Sequence, residues 1–90
     1  MTNVIRVIFF QDGGGWVAQA LEHDICVQAE KSDDLFGRFE VAFDLYSESE
    51  GGLSKLPPAP KHFHDLWDKQ SGVFTPKNLP REGFTFAMAA

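Results

Sequence analysis

Ninety residues with 43% hydrophobic content and 13% aromatics, nine of them Phe, are enough for one domain with a small core and exclude a disordered chain. The single cysteine, Cys26, excludes an internal disulfide framework and a Cys-rich zinc site, and the net charge of −5 argues against nucleic acid as the main partner, because phosphate neutralisation needs clustered Lys and Arg. No apolar run approaches the ~18 residues of a membrane span, and Met1-Thr2-Asn3 lacks the charged and apolar regions of a secretory signal, so a cytoplasmic protein without a membrane partner is expected.

Val4-Ile5-Arg6-Val7-Ile8-Phe9-Phe10 is β-branched and aromatic and runs into Gln11-Asp12-Gly13-Gly14-Gly15, which predicts a strand and a hairpin turn. Trp16 to Leu21 reads as the returning strand, Glu22-His23-Asp24 as a tight connection, and Ile25 to Ala29 as a third strand. There Ile25, Val27 and Ala29 alternate with Cys26, Gln28 and Glu30, giving one apolar face. Ser32 then offers a hydroxyl cap for a helix whose first turn holds Asp33 and Asp34, where the dipole favours anions. Leu35, Phe36, Phe39, Ala42, Phe43 and Tyr46 share one arc of that helix and should dock on the sheet. Val41 and Leu45 lie on a separate flank that needs another cover. Gly51-Gly52 stops the helix.

Beyond it, Pro57, Pro58, Pro60, Pro76 and Pro80 predict a wrapping extension with two regular pieces. One is a short helix at about 60–71, opened by Pro60, ended by Gly72, and apolar along Phe63, Leu66 and Trp67. The other is a terminal strand at about 84–88, Phe84-Thr85-Phe86-Ala87-Met88, with one dry face. The helix is expected to fold back over the Val41–Leu45 flank, and the strand to pair with a sheet edge of its own or another chain in a homo-oligomer. The expectation is a single α+β domain. Residues 1–50 form a two-layer core, an antiparallel sheet under one main helix, and 51–90 form its extension. Charge divides the same way: 1–50 hold ten acids against Arg6, Lys31 and Arg38 (net −7), whereas 51–90 are net +2.

The succession Trp16-Val17-Ala18-Gln19, Leu21-Glu22-His23-Asp24-Ile25 and Gln28-Ala29-Glu30-Lys31-Ser32, leading into an acid-capped amphipathic helix, resembles the HicB-like antitoxin domain over about residues 4–48. The resemblance implies a β-β-β-α-β domain of degraded RNase H-like fold that binds and silences a small basic mRNA-cleaving toxin. Ala29 stands where the family has Gly, and Glu22-His23-Asp24 where it has a Pro-containing turn. The proline-rich 51–90 segment leaves no room for the helix-turn-helix or ribbon-helix-helix module that many members carry, so an orphan or tail-modified member is implied.

Asp12 precedes β-strand two, whereas Glu22 and Asp24 follow its far end, roughly 20 Å away at ~3.3 Å per residue, too far for a shared metal. Gly13-Gly14-Gly15 lacks the Lys-Ser/Thr ending of a phosphate loop. His23, His62 and His64 have no ligand spacing, and Cys26 has no basic activator beside it. The expected function is therefore non-catalytic protein binding, with no cofactor, no metal and no specific nucleic acid. Glu22, Asp24, Val41, Leu45, Phe63 and Trp67 are the possible partner-binding residues. For the Phe63–Trp67 stripe, docking on its own domain is the favoured reading over a partner contact. Two other functions fit less well: an orphan self-associating domain, and a metal-dependent nuclease on the RNase H-like fold.

Overall fold

In the computed structural model, which describes residues 4–70, 72–74 and 83–89, strands β1 (Ile5–Asp12) and β2 (Gly15–Ala20) meet through Gly13 and Gly14, with φ of 61° and 84°. Two successive positive φ values make the tight hairpin turn whose twist suits a β-ribbon, and glycine adopts them without steric cost. β3 (Cys26–Ala29) pairs antiparallel with β2, β5 (Phe84–Met88) pairs parallel with β1, and β4 (Gly72–Phe74) closes the far side against β5. The sheet is mixed and five-stranded, in the order β3-β2-β1-β5-β4.

The fold is α+β, with α1 (Ser32–Glu48) laid over β2 and β3. The register sets Val7 opposite Ala20 and Phe86, and Phe9 opposite Ala18 and Met88, so alternation turns all of these to the α1 face. Leu35 and Phe39 are buried against them, while Phe36, Ala42 and Phe43 pack at the margin. Phe84 knits the layers together: its ring is edge-on to Phe39 at 5.7 Å and to Phe43 at 5.0 Å. Two details of α1 differ from expectation. Ser32 lies inside the helix and Lys31 is the N-cap, with no side-chain cap bond. Tyr46, at the end of the apolar arc, is exposed because the helix outruns the sheet beneath it.

The described part of the extension does not cover the Val41–Leu45 flank. A 3₁₀ turn at Gly52–Lys55 puts Leu53 and Leu56 against the α1 side of the core. The Pro57 carbonyl then accepts the Asp24 N–H at 2.8 Å, and the Ala59 N–H donates to Leu21 at 3.0 Å. Those bonds carry the chain to the opposite face of the sheet, where α2 (Lys61–Asp68) rests Phe63, Leu66 and Trp67 on Ile8, Leu21, Ala59 and Ala87. The far face offers a continuous apolar surface, whereas the helix flank offers two side chains. Burial of the larger apolar area decides the route. Likewise β5 has both faces covered, by α1 at Phe84, Phe86 and Met88 and by the α2 layer at Ala87, since it is an inner strand paired with its own chain's β1. Gly72 opens β4, and α2 ends earlier, capped by Lys69.

Candidate interaction surface

α1 presents an acidic crest to solvent and, overlapping its margin, an apolar flank. At about 100° per residue, Asp33, Asp34, Glu40, Asp44 and Glu48 fall within about 120° of one another, on the side opposite Leu35 and Phe39. α1 itself places no base among them, and Glu40 and Asp44 are half-buried. Toward the β3 edge, Val41 and Leu45 stand 61% and 65% exposed, and Arg38 reaches down to donate from Nη1 to the Gln28 carbonyl at 3.0 Å. Below Leu45 a groove of about 660 Å³ runs between α1 and β3, bounded by Cys26, Ala42, Leu45, Tyr46, Lys55 and Leu56.

The six residues expected to bind a partner are not brought together. Glu22 is engaged inside the fold: its two oxygens accept the Arg6 backbone N–H and the Arg6 Nε, both at 2.6 Å. Asp24 accepts the side-chain amide of the buried Gln19 at 2.9 Å. Phe63 and Trp67 lie half-buried on their own sheet. Val41 and Leu45 alone remain open for a partner. Glu22 and Asp24 are also separated from Asp12 by the length of β2, whose other end pairs Gly15 with Asp12.

Among the described residues no three His, Cys, Asp or Glu side chains come together as a metal cage, although Asp12, Glu30 and Asp34 border a polar groove beside the Gly13–Gly15 turn. Cys26 opens β3 instead of lying within it, and its side chain reaches the surface. Partial burial, and then the Asp24 carboxylate, hold its thiol above the ordinary value, the opposite of what an activated nucleophile needs. None of the described helices is long and apolar enough to cross a membrane.

Two participants were not singled out from the sequence. Arg6 carried a signal, since a lone base in an apolar strand run requires a partner. Arg38 carried none, because its role depends on α1 lying beside the edge of β3. No family model, no curated protein and no solved structure matches this chain.

Proposed function

We propose that this domain is a non-catalytic protein-binding module whose acidic α1 crest engages a small basic protein. The observation that carries the reading is the crest itself: five carboxylates along one helix face, with the helix's one base, Arg38, turned away onto β3. Such a field speeds encounter with a positive partner and selects against negative ones, more than it adds affinity. The strand, strand, strand, helix order closed by a later strand is also the order that the HicB-like resemblance implies. On that reading the partner is a small basic mRNA-cleaving toxin, silenced by occlusion, and the protein acts in the cytoplasm.

The test is affinity capture from the native host at low and high salt, using the wild-type chain and the variant Asp33→Lys/Glu40→Lys/Asp44→Lys. A small basic protein held by the wild type, released by salt and not held by the variant, supports the reading. A partner retained equally by the variant sinks it. Metal-dependent RNA cleavage by the purified chain, lost in Asp24→Asn with the fold intact, would overturn the non-catalytic assignment.

A further inference from the structure

The open edge of β3 and the apolar flank of α1 lie on the same side of the molecule. The Ile25 carbonyl accepts the Ala20 N–H at 2.9 Å, while the Ile25 N–H turns back to the His23 carbonyl at 2.7 Å, and Val27 and Ala29 turn their backbone groups toward β2. The alternate residues Asp24, Cys26 and Gln28 turn theirs outward. Asp24 is closed off by the Pro57 carbonyl, which among the described residues leaves Cys26 and Gln28 as the open edge. The strand has no Pro, no Lys and no bulge in its pairing with β2; its edge is blunted only by its four-residue length, by the Pro57 loop at Asp24 and by Arg38 on the Gln28 carbonyl.

We propose that a second copy of this chain pairs here, β3 against β3, about a two-fold axis through Val27. The contact borders the acidic crest and takes in its Glu48 and Asp34, but it is read by oligomeric state and not by capture of a basic protein, so its failure would leave the binding-module reading standing. Because only Cys26 and Gln28 are open, the symmetric antiparallel register is fixed. Cys26 donates to and accepts from the partner's Gln28, and symmetry repeats the exchange, giving four backbone bonds. The Arg38 guanidinium, on the Gln28 carbonyl from an exposed position, holds the place that the partner's N–H takes.

The helices fit the same operation. An axis normal to the sheet keeps both copies of α1 on one face, running antiparallel. α1 lies over β2 and β3. Midway between strands about 4.8 Å apart, its axis is about 4.8 Å from the two-fold. The two helices are then about 10 Å apart, at the upper end of the spacing for packed helices. Arg38 touches Gln28, and Leu45 shares a groove with Cys26, so the axis passes α1 close to Val41. Val41 therefore meets the partner's Val41, and Leu45 lies along the stem of the partner's Arg38. The same two-fold sets the partner's Glu48 opposite Asp34, a like-charged pair, with Arg38 about one helical turn away to offset it once that side chain has left Gln28.

Light scattering on the full chain is expected to give twice the 10.1 kDa of one copy. Val41→Glu/Leu45→Glu should weaken the dimer by at least about a hundredfold, because it sets carboxylates against one another in an apolar contact, and should leave the melting temperature of the monomer unchanged. In a Cys26→Ala background, Val27→Cys should cross-link two chains on mild oxidation, and Val73→Cys on the opposite edge should not. A chain that stays monomeric at its highest soluble concentration overturns the proposal. So does a dimer that survives the double substitution, or one that cross-links through position 73 and not 27.

Discussion

The guanidinium carbon of Arg6 stands 5.8 Å from the centroid of the Trp67 ring, and the same side chain donates to Glu22 at 2.6 Å. The base in the first strand thereby joins the β2–β3 connection to the helix on the far face of the sheet. α2 has no fully buried residue, so its hold on the sheet depends on a few half-covered contacts, this one among them.

Trp67→Ala should accordingly destabilise the domain by about 2 kcal/mol, roughly half the cost of removing a fully buried large aromatic. Urea melts measure it. Glu22→Gln should cost less, about 1 kcal/mol, because both members of its ion pair are about a third exposed and solvent screens them. A larger loss for Glu22→Gln than for Trp67→Ala would place the strength of the junction in the ion pair and not in the ring.

Phe39 and Phe43 lie four apart on one arc, and the sequence makes them equivalent. The structure separates them: Phe39 is 1% exposed, whereas Phe43 sits at the margin of the cluster against Phe84. Phe39→Ala is expected to cost roughly 3–5 kcal/mol and Phe43→Ala about half as much. Equal losses in paired melts would mean that α1 is rotated from this position.

The β1–β2–β3 meander and α1 were legible because period-2 alternation, a Gly turn and a 3.6-residue apolar arc are local signals. The destination of the extension was not, since helix amphipathicity says that Phe63, Leu66 and Trp67 need burial and not where. The far face of the sheet could have been anticipated from Ile8 and Phe10, which give the second side of β1 apolar residues beside Arg6. β4 has three residues, Gly72-Val73-Phe74, too few for any periodicity to register. At the candidate surface, the exposed Val41–Leu45 flank was visible as a wheel position. The edge beside it was not, because only the tertiary fold shows which strand lies outermost.

Truncation after Gly52 tests the place of β5. Removal of a loose strap would lower the melting temperature modestly. Removal of an inner strand exposes the hydrogen-bonding edge of β1, strips Phe86 and Ala87 from the two clusters, and uncovers Ile8 and Leu21. We expect the truncated chain to lose its cooperative thermal transition and to bind a hydrophobic dye. A shorter truncation, after Gln70, should do nearly the same, because β5 is lost while α2 remains. If the chain ending at Gln70 melted cooperatively near the full-length temperature, β5 would have no structural role in the sheet.

The Cys26 thiol provides a probe whose pH dependence follows from its surroundings. Its pKa is raised, first by partial burial and second by the Asp24 carboxylate, so the folded chain holds this proton more tightly than the unfolded chain. In the interval between the two values the native state binds more protons, and stability falls as pH rises there. The contribution is fully present below the unfolded thiol's titration and lost as pH rises through the folded value. Cys26→Ala should remove that alkaline loss. Alkylation follows the same logic, since the thiolate is the reactive form. At neutral pH iodoacetamide should modify native Cys26 more slowly than the denatured chain, despite its surface position. Asp24→Asn should speed the reaction without reaching the denatured rate, because burial is the larger cause. If Asp24→Asn restored the full denatured rate, charge and not burial would govern the thiol; an unchanged rate would show that the carboxylate does not act on it.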